Sequence, residues 1–410
     1  MLDTEPTSVD TPQMRTAGKG LLSLALLDAR NRTLRWLNLY EEILGASLAP
    51  VPFQGGLERP LWLVGQVAWF QEAWIARNLQ RDRGERCDAG RPRLASIEPQ
   101  ADALYDPVAS SLAERWQLPL PSAQSVRQYL AETLDVTLEL LEAAHENDDA
   151  LYFYRRALFH EDAQAEMLAA LAESMGLRTH AQEGLLRRLD GGPPLAPLLF
   201  PRRRWSMGAE PGGFVFELEK WAHDVDVPEF EIDARPVSWL QYVEFVEDGG
   251  YEDHRWWSAD GVRWLEATGR RSPRYVEQLR QSVLLRRGGR LLRVPLSQPV
   301  IHVSWYEAEA WCRWAGRRLP SEVEWDMAAR SGSSRGFRMG EVREWVATGL
   351  YPYPGFQQAP GSAVHAAFGS HKVQRGASIA TRGRLRAPGA RAHALPDDDM
   401  GFVGFRSCAA

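Results

Sequence analysis

From Leu21 to about Leu44, apolar residues return with a period near 3.6. Leu24, Leu27, Leu34, Leu37 and Ile43 recur, with Arg30, Arg32, Glu41 and Glu42 between them. The pattern predicts an amphipathic helix with those five on its buried stripe. A second helix is predicted after Pro60, burying Leu63, Val67, Phe70 and Trp74 and ending near Arg77 and Asn78. Residues 81–121, rich in Arg, Asp and Pro, read as irregular. Ser122 is placed to cap a third helix carrying Val126, Leu130, Leu134, Leu138 and Leu141. Asp149 is placed to cap a fourth, from Ala150 to about Met175, ended by Gly176. Four such helices predict a bundle, an architecture in which facing side chains can build a metal site.

The texture then changes. GGPPLAPLLFPRRRW and AEPGG form turns and break helices, so a linker is expected over 177–213. Beyond it lie short strand-like pieces, Phe214–Leu218 and Val227–Ile232, and two helical patterns, Ser238–Val246 and Trp305–Ala315. The expected organisation is a flexible tail over 1–20, an all-α bundle over 21–176, the linker, and an α+β domain over 214–410. No fixed-period repeat is visible.

Composition narrows the function classes. The chain has 410 residues, with 48 Lys and Arg against 54 Asp and Glu, a net charge of −6. That balance argues against nucleic acid or an anionic membrane as the main partner. No apolar run reaches the ~18 residues of a membrane-spanning helix, and the polar N-terminus does not read as a secretory signal. Cys87, Cys312 and Cys408 are scattered with no C-x-x-C, so neither a zinc ribbon nor a redox dithiol is indicated, and a cytoplasmic location is expected.

The strongest run is PVIHVSWYEAEAWCRWAGRRLPSEVEW, residues 299–325. Ser304 with Glu307 reads as a capping box, and Ser321 caps a second helix with Glu322 and Glu324 in its first turn. With WSMG (205–208), FEIDARPVSWLQYVEFVEDGGY (230–251), GEVREW (340–345), RGAS (375–378) and GFRSC (404–408), this half resembles the sulfatase-modifying-factor domain of formylglycine-generating enzymes, a C-type-lectin-like α+β fold. Those enzymes carry two copper-binding cysteines shortly after the RGGS-like segment. Here the matching stretch is IATRGRLRAP, with Thr381 and Arg386 near those places. Without thiolates that copper site cannot form, and formylglycine generation is excluded.

In the first half, LWLVGQVAWFQEAW (61–74) and FHEDAQAEML (159–168) resemble the DinB-like four-helix bundle of iron-dependent sulfoxide synthases. Those enzymes join a sulfur or selenium donor to hercynine, the trimethylated histidine, on the way to ergothioneine or selenoneine. A DinB-like bundle followed by a sulfatase-modifying-factor domain is that family's architecture, and the ending GFVGFRSCAA looks most like the selenoneine branch. The resemblance implies ferrous iron held by three histidines. The sequence matches at His160 and at Glu166 of the same motif, and reads Gln66 and Gln164 at the other two ligand positions. Amide oxygens are weaker donors than imidazoles, so any Fe(II) is expected to be held less tightly. Three arrangements stay open: a weaker site of Gln66, His160 and Gln164; an altered one completed by Glu161, Asp162 or Glu166; or no metal.

The resemblance also implies substrate contacts. RAHALPDDDMGFVGFRS corresponds to the donor-binding end of the family, keeping Arg391 and Pro396. Ala394 replaces an Asp, and Asp398 replaces an Arg that would attract a donor carboxylate; His393 lies beside Ala392 where an Asn would contact the acceptor. An uncharged donor such as a selenosugar is compatible with those changes. Tyr351 and Tyr353 are the candidate phenols for proton transfer to the reacting centre, and Trp345 is a candidate aromatic wall for a trimethylammonium group. The expected function is oxygen-dependent C–S or C–Se bond formation on hercynine by a non-haem-iron oxidoreductase working on small molecules. The alternative is a metal-poor relative that only binds a betaine-like molecule.

Overall fold

The computed structural model describes residues 9–45, 48, 58–177, 184–186, 188–189, 191–280 and 282–410. Four long helices dominate the first half: α1 (Lys19–Leu44), α2 (Pro60–Gln71), α3 (Ala123–Ala143) and α4 (Asp148–Ser174). The buried stripe of α1 differs from the expected one. Leu24, Leu27 and Ile43 are exposed, whereas Leu22, Ala25, Leu26, Ala29, Thr33, Trp36, Leu37 and Tyr40 face inward. The helix turns a face of small and aromatic side chains to the core, and its most conspicuous leucines lie outside it. Helix α4 begins earlier than expected, at Asn147, whose side chain accepts the Ala150 N–H. Helix α2 is buried all round and continues through one π-helical turn, Glu72–Ala76.

The second half holds four helices, α5 (Trp239–Glu247), α6 (Ala259–Thr268), α7 (Trp305–Trp314) and α8 (Glu322–Ser331). The expected capping box of Ser304 with Glu307 and the expected cap Ser321 are present, and Ser321 makes a box of its own with Glu324. One four-stranded sheet orders β1 (Leu198–Phe200), β4 (Phe230–Ile232), β13 (Cys408–Ala409) and β8 (Arg317–Arg318). A second orders β11 (Arg391–Ala394), β10 (Lys372–Arg375), β9 (Arg343–Gly349) and β12 (Val403–Phe405), with β12 parallel to β9. Strands β2 (Arg203–Met207) and β3 (His223–Val227) form a hairpin-like pair, and β5 (Val276–Leu279), β6 (Val283–Arg287) and β7 (Arg290–Val294) a small antiparallel sheet. This is the all-α plus α+β organisation expected from the sequence.

Three local expectations change. Phe214–Leu218 is no strand: its phenylalanines pack on the helical half, and Glu217–Glu219 makes a 3-10 turn. The expected linker contains β1 and β2, which pair with the second half; part of it, residues 178–183, 187 and 190, lies outside the described residues. In the expected tail, residues 1–8 lie outside them too, but the rest is packed. Met14 is buried, Arg15 pairs with Glu219, and Arg15 O accepts the Phe214 N–H at 2.7 Å.

The signature motifs of the second half are its frame. Glu344 of REW accepts Arg406 of GFR at 2.7 Å and Trp325 Nε1 at 2.9 Å. Arg375 of RGAS binds Asp326 and Glu322, and Trp205 of WSMG donates to Asp326 at 2.9 Å. These charges are buried, so each is held in place by the cost of leaving its partner unpaired.

Candidate active site in the cleft between the halves

Helix α4 faces the second half, and its charged residues fasten the two together. Glu161 is bound by Arg30 (2.9 Å) and Thr33 (2.7 Å) within the helical half. Asp162 receives Arg384 at 2.9 Å, and Glu166 receives Arg343 at 2.9 and 3.0 Å together with Ser378 and Thr381. Burial alone raises the Glu166 carboxyl, but Arg343 and the hydroxyls outweigh it and hold the group ionised. All three carboxylates are therefore engaged, and none joins the cluster described next.

That cluster is Gln66, His160 and Gln164. Gln66 Oε1 lies 2.6 Å from His160 Nε2, and Gln164 Nε2 lies 3.4 Å from both. The sequence spacing brings His160 and Gln164 onto one face of α4. Gln66 reaches them from α2, which sits deep because Gly65 lies against Tyr105; a Cβ there would meet the ring at 2.2 Å. Phe70 stacks on the imidazole with centroids 3.9 Å apart. Burial, and then the charge of Arg156, push His160 down to about 3, so its ring is neutral at ordinary pH.

The cluster opens on a cleft with two chambers. The first, about 280 Å³, is lined by Phe70, Tyr152, Arg156, Phe159, His160 and Phe216 among others. The second, about 550 Å³, is lined by Glu166, Met167, Arg343, Gln374, Asp398 and Phe402 among others. Ala163, Leu218, Arg391 and His393 line both. Of the cluster, His160 lines the first chamber, while Gln66 and Gln164 lie behind it and line neither.

The remaining expected site residues divide. His393 and Asp398 line the cleft. Arg391 lines it too, but its guanidinium is held by Glu322 at 2.8 and 3.1 Å and stacks on the Tyr353 ring. Tyr353 is buried with its hydroxyl on Glu322 at 2.7 Å, and Tyr351 is 59% exposed; neither lines a chamber. Trp345 is a core residue, fully buried, donating to Val303 O at 2.8 Å. The structure thus corrects the expected roles of these three aromatics. Strand β9 is buried on both faces from Glu344 to Val346, which encloses Trp345 in the core. The sequence reading passed over Arg156, Tyr152 and the phenylalanines; the turn spacing Tyr152–Arg156–His160 along α4 is the signal that would have found them.

Comparison with known proteins fits this architecture. The sulfatase-modifying factor enzyme 1-like domain family matches residues 204–341. The formylglycine-generating enzyme of Thermomonospora curvata is 34% identical over 136 residues, 30% of this chain and 45% of that one. The hercynine oxygenase of Mycobacterium tuberculosis is 29% identical over 433 aligned positions, covering 94% of this chain and 97% of that protein. That of Mycolicibacterium thermoresistibile is 28% identical over 442, covering 94% of each. Over nearly its whole length the chain is thus similar to hercynine oxygenases, which supports an oxidoreductase of the ergothioneine-type sulfoxide synthase kind.

Iron is the metal this family implies. Among the described residues no group of three or more His, Cys, Asp or Glu is arranged to hold an ion, so any ion depends on the two glutamines. The three tips lie within 2.6–3.4 Å of one another. Gln164 Oε1 is buried without a partner, and turning that amide over brings it to the cluster. Gln66, His160 and Gln164 therefore fit a divalent cation in number and spacing, as one imidazole and two amide oxygens, with weaker donors than three imidazoles.

Proposed function

We propose that this chain carries out an oxygen-dependent modification of hercynine, joining a sulfur or selenium donor to its imidazole. Carrying the reading is the cleft itself, where His160 of a neutral donor cluster faces the first of two adjoining chambers of different chemistry. The first chamber suits a betaine. The rings of Tyr152, Phe159, Phe214 and Phe216 line it and suit a trimethylammonium group. Arg156 donates to Pro360 O at 2.7 Å and has no carboxylate within ion-pair distance among the described residues, so it attracts a carboxylate. Tyr152 is the phenol of this chamber. Burial raises its pKa, so it stays protonated and is the candidate proton donor in place of Tyr351 and Tyr353. The second chamber would take the chalcogen donor.

Ferrous iron, when held by Gln66, His160 and Gln164, supplies oxygen activation and an anchor for the chalcogen. The chain itself keeps His160 neutral, orients it by the Phe70 stack, and walls the reacting ring off from water with aromatic side chains. For a thiol donor, one C–H and one S–H are consumed and one C–S bond forms. Dioxygen takes the four electrons, leaving one oxygen on sulfur and the other in water.

One observation favours a second reading, a betaine-binding relative without turnover: the 2.6 Å contact of Gln66 with His160 is already a satisfied hydrogen bond. Anaerobically purified protein supplied with ferrous iron decides between them. Iron near one per chain, and hercynine- and donor-dependent oxygen uptake with a coupled product by mass spectrometry, are expected. Hercynine binding that is the same with chelator, with no oxygen uptake, would establish the second reading.

A further inference from the structure

The second chamber has its own electrostatic logic. Four charged residues line it: Glu166, Arg343, Arg391 and Asp398. Three are neutralised in place. Glu166 and Arg343 hold each other, and Arg391 is held by Glu322. Asp398 is different. Its Oδ1 accepts the Met400 N–H at 2.9 Å, and no guanidinium or ammonium lies within ion-pair distance among the described residues. Arg274, on the far side, is taken by Asp399 at 2.6 Å. The other polar groups here are Gln374 and His393, and His393 Nδ1 is buried without a partner. The chamber thus presents one unmatched carboxylate and neutral hydrogen-bonding groups, and no unmatched cation.

The geometry points to Asp398 as a specificity-determining residue that admits a chalcogen donor ending in a hydrogen-bond-donating, non-anionic group, a hydroxyl or an ammonium, and turns away a carboxylate. This rests on the assignment of the second chamber to the donor. A donor carboxylate brought in here would face a like charge and find no free guanidinium, a combination that costs affinity. Burial, together with Asp399 and Asp397, pushes the Asp398 carboxyl up from its ordinary value, the direction expected of a carboxylate with no cation of its own.

Calorimetric titration of the full chain, with hercynine present, tests it with three thiols: 1-thioglucose, cysteamine and 3-mercaptopropionate. The two non-anionic thiols should each bind at least about tenfold more tightly than the carboxylate. Asp398→Asn should lower cysteamine affinity several-fold and leave 1-thioglucose nearly unchanged, and Asp398→Arg should move the preference toward 3-mercaptopropionate. The thermal midpoint of Asp398→Asn reports whether the fold is intact. Equal or tighter binding of the carboxylate, an unchanged order in Asp398→Arg, or no thiol binding at all would overturn the inference. Hercynine titrated alone separates the two levels: its failure to bind while the thiols still sort refutes the hercynine reading and leaves Asp398 standing.

Discussion

Two polar clusters flank the cleft, and they are built on opposite principles. In the second half, Glu322 gathers Arg391, Arg375 and Tyr353, while Asp326 and Glu344 take Arg375 and Arg406. Every member is buried, and the charges cancel in pairs. In the helical half, Gln66, His160 and Gln164 form a neutral cluster with one short contact, two long ones and an unpaired oxygen. Ionised pairs inside a protein cannot trade partners without a large desolvation cost, so they fix a wall. Neutral groups that are incompletely satisfied can change partners cheaply, so they are free for a ligand. The paired charges of this molecule make its frame, and the uncharged tips and the unmatched groups, Arg156 and Asp398, are the ones the proposed chemistry uses.

The largest effect should come from breaking the frame. Glu322→Ala would strand Arg391 in the interior and leave Arg375 to Asp326 alone, and urea unfolding should show a loss of about 3–5 kcal/mol. A loss under about 1 kcal/mol would show that these charges are not what holds the wall. Next, Gly65→Ala would drive a methyl into the Tyr105 ring. Thermal unfolding should register about 1–3 kcal/mol, and hercynine affinity should fall as Gln66 shifts. The neutral cluster can be sharpened instead of broken. Gln66→His combined with Gln164→His should tighten ferrous iron by about 10–100-fold, read by metal titration with a spectroscopic competitor. Unchanged affinity would mean that the three tips do not serve one ion.

Acid should act on the frame through His302. This ring is fully buried, and burial, with Arg287 and Arg274 nearby, lowers it to about 3. The unfolded chain takes up a proton near pH 6.5 that the folded one refuses. Its contribution is therefore complete above about pH 6.5 and declines by at most about 1.4 kcal/mol per pH unit as pH falls toward 3. Urea midpoints at pH 7.5 and 5.5 should show the decline, and His302→Asn, which tolerates the positive φ at this position, should flatten it. The smallest effect is expected at Tyr351→Phe. That side chain is 59% exposed and lines neither chamber, so stability should stay within about 0.5 kcal/mol and turnover should be unaltered.

The two halves were unequally legible. The helices, the Ser304–Glu307 capping box and the Ser321 cap could be placed because caps and periodicity are local. The convergence of Gln66, His160 and Gln164 was expected only through the family resemblance; spacing alone puts two of the three on one helix face. The IATRGRLRAP segment served in the sequence only to exclude copper. In the fold its Thr381 and Arg384 dock on Glu166 and Asp162 of α4, fastening the halves. No periodicity reports a contact between residues more than two hundred positions apart.

By itself the sequence determined the class of each half, the order of the halves, the glutamines at positions 66 and 164 and the placement of an acid at position 398, since these depend on local patterning and residue identity. Tertiary structure alone decided which charges are spent on one another and which face the cleft. That outcome depends on the partners each group meets when the halves close, and so it moved Trp345 and Tyr353 into the frame and brought Tyr152 and Arg156 to the site.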